Sequence, residues 1–258
     1  MPTRSSGSDD APRVQTGENV LIGGLIVTGS GKKKVIIRAV GPSLSQVFAG
    51  ALQDTALELY QGATLLATND NWKDTQRQEI EASGIPPADE RESAIVYTLD
   101  PGFYTAVMSG RGGATGIGVI EVYDLDQAAD SKLANIATRG FVEGGENMMI
   151  GGLIVGGSGT AQARVLVRAI GPSLAEADVR GALENPVMEL RDANGEPVRE
   201  NDDWQDSQRA AIEATTLAPK YHAESAILVD LSAGSYTALV RGYNEGVGVG
   251  VVEVYNLR

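Results

Sequence analysis

The chain has no cysteine, so neither disulfides nor thiolate chemistry can contribute to it. A reducing cytosol and a cysteine-free bacterial surface protein both meet that condition. Histidine occurs once, at His222, and tryptophan twice; aromatic residues make up 5% of the 258 positions. So few rings give little material for a sugar-stacking surface. Cations are also scarce: 21 Lys and Arg face 34 Asp and Glu, a net charge of −13. That balance argues against a nucleic-acid phosphate surface. No run approaches the roughly 20 apolar residues of a membrane span, and residues 1–10 carry no apolar core of a signal peptide. Residues 1–16 read as a flexible, polar lead. The one run of cations, Lys32-Lys33-Lys34, sits in a Gly-flanked turn and reads as solvated.

What the chain has is a module written twice. Asn69-Asp70-Asn71-Trp72-Lys73-Asp74 returns as Asn201-Asp202-Asp203-Trp204-Gln205-Asp206, and these copies hold both tryptophans. Each follows a strand-like run (57–60 and 188–191) and precedes a helix-like segment, after which comes Glu-Ser-Ala-Ile, at 92–95 and 224–227. Asp74 or Thr75 is placed to cap that helix, expected to span about ten residues, with Gly84 and Pro86-Pro87 as stops. Upstream, Gly17-Glu18-Asn19 and Gly145-Glu146-Asn147 open apolar runs broken by Gly23-Gly24 and Gly151-Gly152, which suggest a bulge or bend. A Gly-rich turn (28–31; 156–159) and a second strand then read as a hairpin ending in Gly-Pro-Ser-Leu, at 41–44 and 171–174.

Comparing the copies assigns faces. Ile95, Tyr97 and Leu99 match Ile227, Val229 and Leu231 and point inward; Tyr104, Ala106 and Met108 match Tyr236, Ala238 and Val240. Pro101-Gly102 and Ala233-Gly234 read as tight hairpin turns between these strands. The last strand, 116–123 and 248–255, is apolar on both faces and suits a central place in its sheet. Between the modules lies a polar linker, 126–132, and then an alternating run, 133–139, that the chain carries once.

The fold expected is all-β: two tandem antiparallel β-sandwich modules of jelly-roll or Ig-like type, each with one short helix. The module boundaries are 17–125 and 133–258. Residues 57–60, 69–72, 102–107 and 121–123, with their second copies, resemble the pre-peptidase C-terminal (PPC) type of domain, one of the tandem β-sandwich repeats of secreted bacterial proteins. The resemblance covers about the last two-thirds of each module. It implies a calcium-tolerant, non-catalytic accessory module on an exported protein, extracellular or at the cell surface.

Candidate sites are few. Ser43 lacks the Gly-x-Ser-x-Gly setting of a nucleophile elbow, and the first module has no histidine to serve it. The oxygens of Asn69, Asp70, Asn71 and Asp74, and of Asn201, Asp202, Asp203 and Asp206, are of the kind that binds calcium, with Glu92 or Glu224 as more distant ligands. The same residues also suit an Asx-turn that presents the tryptophan to the core. Arg38 and Arg168 interrupt apolar strands, as do Glu121 and Glu253. An ion pair in each module is expected, Arg38 with Glu121 or Glu58 and Arg168 with Glu253 or Glu189, against solvated charges on an outer face. No pair of acids suggests a glycosidase. The reading is a structural or adhesive module rather than an enzyme. The unmatched run at 133–139 implies an unfilled sheet edge elsewhere, open to head-to-tail strand addition and so to an oligomer or filament. The alternative is a calcium-dependent accessory domain that binds an extracellular polysaccharide or protein.

Overall fold

Two apolar runs split by Gly-Gly supply the first strand of each half of the protein. The structure is a computed structural model that describes residues 13–257 apart from 18–19, 47, 145–147 and 157–161. Glu18 and Asn19 of the first Gly-Glu-Asn motif, the whole of the second, most of the second Gly-rich turn and residues 1–12 of the polar lead therefore lie outside the described residues. The chain is all-β, as its patterning requires. The first half contains β1 (Arg13–Val14), β2 (Leu21–Gly29), β3 (Lys33–Val40), β4 (Thr55–Gln61), β5 (Thr64–Asn69), α1 (Arg77–Ala82), β6 (Ser93–Leu99), β7 (Gly102–Gly110), β8 (Gly116–Ile117) and β9 (Val119–Asp124). β10 (Ser131–Val142) leads into the second half. There follow β11 (Met149–Val155), β12 (Gln162–Ile170), β13 (Pro186–Arg191), β14 (Pro197–Asn201), α2 (Arg209–Glu213), β15 (Ser225–Ser232), β16 (Gly234–Gly242) and β17 (Gly248–Asn256).

Both halves use the same pairings. In the first, β2, β7, β4 and β5 pair in that order, opposite β6, β3 and β9; in the second, β11, β16, β13 and β14 pair, opposite β15, β12 and β17. Each half has its own apolar core, around Leu25, Ile37, Leu59 and Met108 in one and Val167, Met188, Leu190 and Val240 in the other. No helix among the described residues is long and apolar enough to cross a membrane.

Several local expectations give way to this topology. β2 and β3 do not pair, nor do β6 and β7: both turns carry the chain from one sheet to the other. Short loops with turn residues satisfy a sandwich corner as well as a hairpin, so the turn signal cannot separate the two. The Gly-Gly pair makes no bulge, because β2 runs in unbroken register along β7 from Leu21↔Met108 to Val27↔Gly102. Its purpose is close approach. A Cβ at Gly23 would stand 3.1 Å from the Ile120 side chain, and one at Gly151 would stand 2.7 Å from that of Val252. The helices are short, of 6 and 5 residues, and Gln76 and Gln208 occupy the N-cap positions without side-chain caps. Asp74 and Thr75 do not cap.

Two further corrections concern charge and burial. Lys33 is not solvated: it is 1% exposed, and its Nζ donates to Asp124 at 2.9 Å and to the Asp126 carbonyl at 2.6 Å. The inward faces of β6 hold as expected, with Ile95 and Leu99 in the main core, but Ala94 and Val96 are buried as well. They lie under a second cluster made by Ile36, Trp72 and Ile80. The acidic turn and helix thus roof the outer face of the three-stranded sheet, which explains why β3 and β12 are apolar on both faces.

β10 joins the halves. It pairs antiparallel with β17 from Asn135↔Tyr255 to Val142↔Gly248, and with β2 from Ser131↔Gly29 to Arg139↔Ile22. Ser131 and Lys132, in the stretch that reads as linker, already belong to this strand. β17 is therefore central, as its sequence suggests. β9, with nearly the same sequence, is not: among the described strands it pairs with β3 alone. Part of the polar lead also becomes strand, since β1 pairs with β8 through Arg13↔Ile117 and Val14↔Gly116.

Candidate functional site

The acidic turns are built from a buried asparagine outward. Asn69 ends β5, where its Oδ1 accepts the Ala94 N–H at 2.9 Å and its Nδ2 donates to Asn71 O at 3.0 Å and Thr75 Oγ1 at 2.9 Å. Asn201 repeats this with Ala226 N (2.8 Å), Asp203 O (3.1 Å) and Ser207 Oγ (3.3 Å). These amides hold the turn to the sheet. Trp72 then enters the roof with its ring N–H on Asp89 O at 3.1 Å, and Trp204 does the same on Tyr221 O at 3.0 Å.

The remaining candidate ligands stand apart from the amides. Asn71 Nδ2 donates to Asp74 Oδ2 at 3.1 Å, and Asp70 faces Arg111 at 3.3 Å. In the second copy, burial raises the carboxyl of Asp202 above its ordinary value, and the charge of Asp203 adds to the effect. Asp203 and Asp206 meet His222, whose Nδ1 is 3.4 Å from one and whose Nε2 is 3.5 Å from the other. These three form the one candidate metal-holding group of His, Cys, Asp or Glu side chains among the described residues. Each imidazole nitrogen faces a different carboxylate, an arrangement that also serves as a surface tie. In the first half Glu90 stands at the position of His222 and bonds Lys73 of the turn instead.

Glu92 and Glu224 are not ligands reaching toward the turn. Glu92 is fully buried and accepts from Gly41 N (3.2 Å), Ser43 N (3.0 Å), Ser43 Oγ (2.5 Å) and Asp89 N (3.2 Å). Glu224 accepts from Ser173 N and Oγ, both at 2.9 Å, and from Tyr221 N at 3.2 Å. The serine of Gly-Pro-Ser-Leu is thus a donor to a buried carboxylate that pins the end of β3 or β12. Gln76 is a second clamp that sequence reasoning missed: its amide donates to Val96 O at 2.8 Å and accepts from Val96 N at 3.1 Å, as Gln208 does with Leu228. The signal was present, since both glutamines recur at matching positions.

The expected ion pairs form. Arg38 Nε donates to Glu121 Oε2 at 2.8 Å and Arg168 Nε to Glu253 Oε2 at 2.8 Å. Each guanidinium also reaches the loop after the helix, at Ile85 O (2.8 Å) or Leu217 O (2.6 Å), and lies over a tyrosine, Tyr123 or Tyr255. Burial first, and then the neighbouring Glu253, push the Tyr255 phenol up to about 12.

No protein-family model matches the chain, and no curated protein matches it. Among solved structures it is similar to the STIV MCP, with 13% identity and a TM-score of 0.24 over 98% of this chain and 94% of that one. It is also similar to the major capsid protein P2 from bacteriophage PM2, at 8% identity and a TM-score of 0.23, covering 96% and 97% of the two chains. A chain in the atomic structure of Sulfolobus Turreted Icosahedral Virus gives 12% identity and a TM-score of 0.24, over 98% and 88%. Overlap at this level does not establish a common topology.

Proposed function

We propose that the chain is a non-catalytic structural or adhesive module of a bacterial cell-surface or extracellular protein, joined to neighbouring polypeptide by strand addition at open sheet edges. The observation that carries this reading is β10, a single strand paired with β17 on one side and β2 on the other, so that one continuous sheet runs through both halves. Strand addition is how this protein joins its own halves, and the equivalent edges β9 and β11 each pair on one side only among the described strands. The repeated polar groups support the same reading, because Asn69, Glu92, Arg38 and their second copies are engaged in holding loops to sheets. Sedimentation velocity over a range of concentrations tests it. Mass growing above the 27.0 kDa of one chain is expected, and a single 27.0 kDa species throughout would overturn the self-assembling form of the reading.

A second reading, a calcium-dependent accessory domain that binds carbohydrate or protein, is favoured by one observation: the meeting of Asp203, Asp206 and His222 on the second acidic turn. A melting temperature raised by calcium would support it.

A further inference from the structure

β1 and β10 touch at one pair, Arg13↔Phe141, and these positions correspond to each other in the repeat: Val14 precedes the first Gly-Glu-Asn motif as Val142 precedes the second. An antiparallel pair made by corresponding residues places a local two-fold axis between the halves. That axis carries β17 onto the β8–β9 edge and β2 onto β11. It therefore carries the place of β10, between β17 and β2, onto a slot between β9 and β11. β1 stands at the mouth of that slot, on Gly116 and Ile117, as Phe141 and Val142 stand on Gly248 and Val249.

The walls of the slot are exposed where their twins are covered. Leu25 is buried on β2, whereas Leu153 on β11 is only half-buried, and Ile154 is 68% exposed while its twin Ile26 is half-buried. Val252 is buried on β17, and its twin Ile120 on β9 is half-buried. A Cβ on Gly24 would lie 3.6 Å from the Ala137 Cβ of β10, whereas one on Gly152 meets nothing within 4 Å among the described residues.

We propose that the slot between β9 and β11 accepts an extended strand from another polypeptide that carries the chemistry of β10. Such a strand runs antiparallel to both walls, has no proline, places a small residue over Gly152 and sets aliphatic side chains where β10 has Leu133 and Ile136. Two nearer candidates are ill suited. The chain's own residues at the positions of Leu133 and Ile136 are Ser5 and Ser8, and Pro12 stands where Gly140 does, without an N–H to donate. A second copy of the chain has its own β10 already engaged on both edges, so it joins by a different strand and edge rather than by β10 in this slot. The inference rests on the reading of the chain as a strand-joining module, and it specifies the edge and the occupant.

The test uses the intact chain and a labelled synthetic peptide of residues 131–142, followed by fluorescence anisotropy and native mass spectrometry. Saturable 1:1 binding is expected, weakened at least about tenfold by Leu133→Ser with Ile136→Ser in the peptide, since two aliphatic side chains lose their burial. Gly152→Val in the chain should weaken it comparably, and the space above Gly152 lets that variant fold. Equal binding by both peptides, or binding indifferent to Gly152→Val, would overturn the proposal. Binding seen only after deletion of residues 1–10 would assign the slot to the chain's own N-terminal residues and overturn it as well. A chain that grows in mass but binds no peptide would remove this inference and leave the assembly reading standing.

Discussion

Arg13 pairs with Phe141, and the repeat makes these the same position in two copies of one module. The consequence is geometric. Two sandwiches in a row would be related by a translation along the chain, each with its own edges facing outward. A pair between corresponding residues instead sets the halves about a two-fold axis, so that each contributes one wall to a shared strand site. One such site holds β10; its twin lies between β9 and β11.

The ion pairs inside the apolar strands give the first prediction. Arg168 and Glu253 are both mostly buried, and Tyr255 closes over them. Arg168→Ala leaves the carboxylate without its partner and should cost on the order of 3 kcal/mol of unfolding free energy. Urea denaturation measures it; a loss under about 0.5 kcal/mol would place the pair among ordinary surface bridges.

The same cluster fixes an alkaline titration. Tyr255 holds its proton up to about 12, against an ordinary value of 10.0. The folded state binds that proton more tightly than the unfolded chain does. Its contribution to stability is therefore complete below the unfolded value and is lost as pH rises through about 12. Phenolate absorbance should show Tyr255 among the late-titrating tyrosines, and Glu253→Gln should bring it earlier. A Tyr255 that ionises with the exposed tyrosines would contradict the burial assigned to it.

Glu92 offers a sharper structural test. Four donors converge on its buried carboxylate, three of them from Gly41 and Ser43. Glu92→Gln turns an acceptor-only group into one that sets N–H against N–H, at a cost on the order of 2 kcal/mol. Ser43→Ala removes one donor and should cost less. Equal denaturation midpoints for Glu92→Gln and the parent would show that the carboxylate does not anchor the loop.

Calcium is expected to leave the melting temperature unchanged. The side-chain oxygens of Asn69 and Asn201 accept backbone N–H bonds, so the turns are already braced from within. A site filled at 100 times its Kd would add about 2.7 kcal/mol. A rise in melting temperature at millimolar calcium, reversed by chelator and lost in Asp203→Asn, would establish the accessory-domain reading instead.

The sequence carries much of this when its two copies are compared and little when one is read alone. The Arg–Glu pairs were legible because both charges interrupt apolar runs in both copies. The inward positions of β6 and β7 were legible from matched side chains. The hairpins were misread because Gly29 and Gly102 serve chain reversal between sheets as readily as within one. The last strand of each copy reads alike, yet the first is split into β8 and β9 while β17 is continuous and has β10 beside it, which no local pattern records. Lys33 looked solvated because its partner, Asp124, is 91 residues away. The roles of Glu92 and Gln76 were hidden for a similar reason: each acts on a backbone distant in sequence.

Amide hydrogen exchange on the isolated chain tests the open slot most directly, by comparing β11 with β2 at matched residues. Among the described strands β2 has a partner on both sides and β11 on one, so the β11 amides pointing away from β16 should exchange more than about tenfold faster than their β2 counterparts. Equal protection of the two strands would mean that the β11 edge is already filled, and the account of an open strand site would fall.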